Sequence, residues 1–385
     1  MTNHKTKYLK LVKHCTITLS IVVTTSLFTT AVSAQSNIRD LYPQLADLFN
    51  AFDVTQANAF EKIADINANP STQAARDELQ MNLNMSTSMS MSEMMAAGGG
   101  MDMGMNGPYQ ELEVQARMEL LENMRGKYSD EEAEAAYDNS APVNRHTAEV
   151  LKRGRSFETN LFNIYIDDSI NDKQAAVAAA VEDYLSDDRH SVASIPKEST
   201  YLIEHLQANG FKTAFPLLSG FLWSQQWLQL AALQAVILEN VDPQFSGGVD
   251  VALERFWNKV GSSGGMTMFP APSELPMAPA IAPDLYSQSE DAAIIIDNLN
   301  VLETVITDIL SYPNVENRDG LVDATIARFT NKTEDNIEYM DYLLFALRGG
   351  IYNQGGPAVG ELMQSERNRS RAAMDMKHSM IMSTQ

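Results

Sequence analysis

Methionine is the residue whose number and spacing could do chemistry in this chain. Its 385 residues include 21 methionines and a single cysteine. Nine methionines lie between residues 81 and 105, and a second cluster lies near the end of the sequence. Six pairs have Met-x-Met spacing, whereas independent placement at this frequency would give about one. The candidate ligands are Met101, Met103, Met105, Met266, Met268, Met374, Met376, His378, Met380 and Met382.

The thioether group of methionine suits one kind of ion. It is neutral at every pH, soft and polarizable, so it binds Mg²⁺, Ca²⁺ and Zn²⁺ weakly and prefers monovalent copper. A Met-x-Met pair in extended chain places both sulfur atoms on the same side, because side chains alternate with a period of two. His378 adds an imidazole, which would also hold divalent copper. The clusters at 81–105 and 374–382 resemble the Met-rich stretches of bacterial periplasmic copper-handling proteins, and the resemblance is confined to these segments.

Other interpretations of the Met clusters stay open. Met81, Met85 and Met89 follow one another at intervals of four, a helical stripe that is typical of packing. Flexible Met-rich surfaces also serve protein contacts, and exposed methionines can act as oxidant sinks that repair enzymes reduce. The alternative to copper binding is therefore a non-catalytic helical cell-envelope or interaction protein. Low-complexity sequence without a function is a third interpretation.

The first 34 residues have the pattern of a secretory signal peptide. Four lysines precede an uncharged, mostly apolar run over 15–32, and small residues at 31–34 provide a cleavage site. The predicted location is therefore periplasmic or secreted. The lone cysteine, Cys15, lies in the predicted signal, so the mature protein would have no disulfide, thiolate or zinc–cysteine site.

Acidic residues outnumber basic ones by 50 to 28, a net charge of −22. Removal of the signal takes away only basic charge and leaves −26. Phosphate binding needs clustered lysine and arginine, so this balance excludes nucleic acid as a partner. The expected partners are a soft metal ion and another envelope protein.

The sequence offers little that would make the protein an enzyme. His146 and Glu149 have a metal-ligand spacing, but a solvated helix face explains them better. Ser194 and Lys197 have the Ser-x-x-Lys spacing of serine acyl enzymes without the other elements of that site. An enzyme would need His146 or His205 to converge with buried carboxylates in one cavity, and we expect no catalysis.

Helical periodicity dominates the chain, so the predicted fold is an all-α multi-helix bundle with flexible Met-rich segments. Residues 213–238 carry no charge but contain four glutamines, which favours a buried central helix over a membrane span. The Pro/Gly-rich stretch at 263–285 predicts a linker between two helical lobes.

These patterns divide the chain into seven predicted regions. They are the signal peptide (1–34), N-terminal helices (35–80), a flexible Met/Gly-rich segment (81–108), a helical domain (109–262), a Pro/Gly-rich linker or long loop (263–285), a C-terminal helical region (286–360) and a polar Met/His-containing tail (361–385). The function predicted for the whole is copper(I) binding for storage, delivery or tolerance.

Overall fold

The computed structural model of the protein describes residues 37–88, 107–197, 205–260, 275–333 and 339–349. Of these residues, 78% are helical and none is in a strand, which confirms the predicted all-α class. The α-helices are α1 (Ile38–Leu41), α2 (Pro43–Ala68), α3 (Gln73–Ser88), α4 (Gln110–Arg125), α5 (Asp130–Asn139), α6 (Arg145–Ile166), α7 (Lys173–Leu185), α8 (Gly210–Ala214), α9 (Pro216–Val241), α10 (Gly248–Val260), α11 (Ala278–Ile281), α12 (Pro283–Gln288), α13 (Glu290–Ser311), α14 (Arg318–Phe329) and α15 (Tyr339–Gly349).

Helix α9 is the central element of the bundle. It packs against α4, α6, α10 and α12, among others, and every residue from Leu217 to Ile237 is buried. This is the uncharged stretch of the sequence, and its prediction as a buried central helix is confirmed. None of the helices in the described ranges is long and apolar enough to cross a membrane.

Three of the glutamines on α9 find polar partners on neighbouring helices. The Gln226 amide donates to the Asn300 carbonyl at 3.1 Å, and the Gln229 amide donates to Glu158 at 3.2 Å. Gln234 accepts from the backbone N–H of Asp284 at 3.0 Å. Buried amides without such partners are costly, so these contacts explain how the helix keeps its glutamines inside.

One apolar core joins helices on both sides of the Pro/Gly-rich stretch. Its buried members run from Ile38 on α1 to Phe329 on α14, and α13 packs against α2, α6 and α8. The division into two lobes stays a prediction. A second, smaller cluster consists of Met277, Ile294, Tyr342 and Ala346.

The structure differs from the predicted regions at two places. Within the predicted linker, residues 275–285 include α11 and the start of α12, and Met277, Ile281 and Leu285 are buried. Proline is the second residue of α11 and the first of α12, positions in the first turn where a missing backbone N–H costs little, so proline content alone is misleading. Helix α3 continues to Ser88, eight residues into the segment predicted to be flexible.

Candidate functional site: a polar cleft above a buried charge network

A polar cleft of about 540 Å³ lies among α1, α2, α5 and α6. Three cationic and three carboxylate side chains line it, namely Arg39, Lys152, Arg155, Asp53, Asp130 and Glu134. Asparagine and hydroxyl side chains fill much of the remaining surface. Its size is in the range that small-molecule sites occupy in proteins, about 300–1,000 Å³.

Local sequence fixes the helices that form the cleft. Ser129 begins α5 with a capping box, in which Glu132 accepts from the Ser129 N–H at 2.8 Å and the Ser129 hydroxyl accepts from the Glu132 N–H. Asn144 caps α6 by accepting from the backbone N–H of Thr147. These caps fix where α5 and α6 begin, and therefore which side chains they turn toward the cleft.

Arg155 connects the cleft with the interior. Its Nε–H donates to the Asp53 carboxylate at 2.9 and 3.2 Å, and its Nη1 donates to Glu158 Oε2 at 2.7 Å. The guanidinium also lies 5.6 Å from the centre of the Phe49 ring, a cation–π distance. The Arg155 side chain is 15% exposed, against 6% for Asp53 and 8% for Glu158. The positive charge of Arg155 at the cleft is thus paired with two buried carboxylates.

A third carboxylate extends this network into the core. Glu303 on α13 accepts from the Gln226 amide at 3.2 Å, and the Gln229 amide reaches Glu158 at the same distance. The Tyr137 hydroxyl donates to the Gln56 carbonyl oxygen at 3.0 Å. Arg155 also acts electrostatically on Glu303. Helices α2, α5, α6, α9 and α13 therefore all contribute polar groups to one set around Arg155, which we call the Arg155 network.

Close packing of α6 on α13 makes this assembly possible. Gly154 lies directly before Arg155, and a Cβ atom at that position would come within 2.5 Å of the Leu299 side chain. A larger residue at position 154 would therefore require the Leu299 side chain to move. The approach places Arg155 and Glu158 near the helix that carries Glu303.

Burial dominates the protonation of the network. It raises the pKa of Glu158 to about 7 and that of Glu303 to about 7, although Arg155 acts in the opposite direction. Burial also raises the pKa of Asp53. For Arg155, burial would lower the pKa, but Asp53 and Glu158 outweigh it and raise the pKa. The network therefore keeps a charged guanidinium at the cleft and can hold protons near neutral pH.

The ten predicted copper ligands lie outside the described residues. The methionines that the structure does describe differ in exposure. Met124 and Met277 are buried in the core, whereas Met81 and Met118 are exposed. Within the described ranges, no group of three His, Cys, Asp or Glu side chains is arranged to hold a metal ion.

The histidines and the Ser-x-x-Lys lysine have separate partners. His146 Nε2 lies 2.9 Å from the Arg189 carbonyl oxygen, and His205 Nε2 lies 3.1 Å from Asp308 Oδ2. Neither histidine lines the cleft. The Lys197 ammonium donates to the Asn331 carbonyl at 3.2 Å. Neither histidine therefore joins the carboxylates of the cleft.

Sequence reasoning missed the Arg155 network, although one signal was available. Asp53 falls on the helical stripe that also contains Phe49, Phe52 and Phe60, and Glu158 falls on the stripe of Leu151 and Leu161. A charged residue on an apolar stripe predicts a buried charge, which needs a partner. Which residue supplies the partner depends on the tertiary fold.

Comparison with known proteins gives no assignment for either the cleft or the Met clusters. The chain matches no protein-family model, no curated protein and no solved structure.

Proposed function

We propose that the protein is a secreted or periplasmic carrier that binds monovalent copper through the thioethers of its Met-rich segments. The observation that carries this proposal is the distribution of sulfur along the chain. All six Met-x-Met pairs lie in segments outside the described helices, whereas the buried methionines of the described core are Met124 and Met277. Core packing in the described helices therefore accounts for few of the methionines.

The chemistry of the ligands supports copper over harder ions. A chain with 50 carboxylates offers oxygen ligands throughout, so a hard cation would gain nothing from clustered thioethers. Monovalent copper prefers sulfur, and methionine keeps its soft sulfur longer than cysteine in an oxidising compartment. We infer a role in copper storage, delivery or tolerance, without catalysis by the protein.

The segment 374–382 provides the sharpest test. In one variant, its four methionines are changed to leucine and His378 to alanine, and Cu(I) uptake is measured by competition with a chromogenic chelator. We expect the variant to lose Cu(I) relative to the natural sequence. The matched control changes Met118, which is exposed and lies outside the Met clusters, to leucine and should retain the full stoichiometry. Unchanged uptake in the first variant would remove this segment as a copper site.

The same protein preparation distinguishes the alternative. If the Met-rich segments are oxidant sinks, the mature protein would fail to retain Cu(I) against a weak competitor. Dilute hydrogen peroxide would convert its methionines to sulfoxides, and a sulfoxide reductase would restore them. That combination would contradict the copper proposal.

A further inference from the structure

The two helices that contribute most of the charged side chains in the cleft contribute charges of opposite sign. Helix α5 contributes the carboxylates of Asp130 and Glu134, and α6 contributes the cations Lys152 and Arg155. With Arg39 and Asp53 included, positive and negative side chains are equal in number. Such a lining suits a ligand that carries both charges and no net charge.

Most of these charges already have partners. Asp130 accepts from Arg39 and from Asn50, each at 2.7 Å. Lys152 donates to both oxygens of Asp138 and to Glu149. These groups shape the cleft and are neutralised by the protein itself.

Two charged groups of the cleft, the Arg155 guanidinium and the Glu134 carboxylate, can still form a hydrogen bond to a ligand. Within the described part of the chain, Arg155 Nη2 makes no hydrogen bond, whereas Nε and Nη1 are bonded to Asp53 and Glu158. The exposed Glu134 side chain likewise makes no hydrogen bond or ion pair to a described residue. The cleft thus offers one donor for an anionic group and one acceptor for a cationic group, on different helices.

We propose that this cleft binds a small zwitterion, an α-amino acid or dipeptide, with its carboxylate on Arg155 Nη2 and its ammonium group on Glu134. The guanidinium is fixed by two carboxylates and by the Phe49 ring, so little ordering entropy is lost when the ligand binds. A charge-assisted bond from an arginine at 15% exposure is stronger than one formed in bulk water.

The charge of the whole chain argues against a simple anion as the ligand. A net charge of −22 repels anions, whereas a zwitterion brings its own compensating charge. Ser156, Thr159 and Asn160 also line the cleft and remain as polar groups for a ligand side chain or peptide bond. No methionine lines the cleft, so this proposal is independent of copper binding.

The test uses the mature full-length chain with free L-amino acids and glycyl dipeptides as probes, first by thermal shift and then by calorimetry. At least one zwitterion should bind. Its N-acetyl and methyl-ester derivatives, which lack one of the charges, should each bind about tenfold more weakly or not at all. Equal binding of either derivative would overturn the proposal, as would the absence of binding across the probe set.

Variants on the surface of the cleft locate the site without disturbing the core. Glu134→Gln should weaken binding about tenfold. The matched control is Glu131→Gln, an identical charge change at an exposed position on the same helix that does not line the cleft. Ser156→Leu places bulk in the cleft at an exposed position and should abolish binding. If the Glu131 and Glu134 variants weaken binding equally, general electrostatics explains the affinity and the assigned site is wrong.

Discussion

The helical body and the Met-rich segments carry different chemistry and encode it in different ways. In the body, the polar chemistry consists of carboxylates, amides and a guanidinium, and partners come from distant parts of the chain. Asp53 and Arg155, for example, are 102 residues apart. In the segments, the candidate ligands are thioethers that are neighbours in sequence, two residues apart. Local spacing can therefore reveal the second kind of chemistry, whereas only the fold reveals the first.

This difference has a consequence for substitutions. A change in the Arg155 network should cost stability, because each member leaves a buried partner unsatisfied. A conservative change in a Met-rich segment should cost metal binding while leaving stability nearly unchanged.

Arg155→Met should produce the largest loss of stability. It removes the cation that Asp53 and Glu158 share and should lower the free energy of unfolding by about 3–5 kcal/mol in urea denaturation. The matched control is Arg125→Met, because Arg125 forms an exposed ion pair with Glu122 at 3.0 Å. The control should cost about 1 kcal/mol or less. Equal losses in the two variants would show that the network contributes no more than a surface pair.

The stability of the protein should fall as the pH rises from about 5 to about 8. Burial raises the pKa of Glu158 and of Glu303 to about 7 in the folded protein, from a model-compound value of 4.5. The stability from these raised values is fully present below pH 4.5 and is lost as the pH rises through 7. The loss is at most roughly 3 kcal/mol per carboxyl group.

Glu303→Gln tests the origin of this pH dependence. The amide imitates the neutral carboxyl group and does not titrate. The difference in unfolding free energy between about pH 5.5 and about pH 8 should therefore be smaller in this variant. Glu131→Gln, on the exposed surface of α5, should leave the difference as it is in the natural sequence. A pH profile that is identical in all three proteins would place the dependence outside the network.

Glu113→Ala should have an intermediate effect. Glu113 Oε1 accepts from the backbone N–H groups of Leu217 and Leu218, at 2.6 and 3.0 Å, and so caps the central helix α9. The loss of this acceptor should cost about 1–3 kcal/mol. Because burial raises the pKa of Glu113 to about 8, Glu113→Gln should be the milder change. Thermal melting at pH 7 compares the two variants, and an equal loss would argue against the cap.

The methionine-to-leucine change at Met374, Met376, Met380 and Met382 should have the smallest effect on stability. Leucine and methionine have similar volumes, so the free energy of unfolding should change by less than about 1 kcal/mol. Cu(I) uptake by the same variant should fall. If this variant lost much stability and took up Cu(I) normally, these methionines would stabilise the fold and would not bind copper, which contradicts the proposal.

The sequence predicted the parts of the fold that depend on local patterns. The absence of charge over 213–238, together with its four glutamines, predicts the buried central helix α9. Helical periodicity predicts the all-α class. Composition was misleading at 275–285, where prolines lie in the first turn of short helices that pack into the core.

The candidate cleft could not be predicted in this way. Asp53 and Glu158 stand on apolar stripes, which indicates that they are buried, but neither stripe identifies Arg155 as the shared partner. That pairing joins residues 102 positions apart, and only the tertiary fold brings them together. The copper ligands, in contrast, are predicted from the local spacing of methionines alone, and this prediction needs no knowledge of the fold.

Copper binding by thioethers is the central claim, and X-ray absorption at the copper edge of the Cu(I)-loaded mature protein tests it most directly. We expect a monovalent copper edge and a first coordination shell dominated by sulfur, and the leucine variant of 374–382 should lose part of that sulfur. Without the predicted signal peptide, which contains Cys15, the chain has no cysteine, so methionine would be the only source of that sulfur. A first shell of oxygen and nitrogen alone would contradict the account, as would a protein that retains no copper.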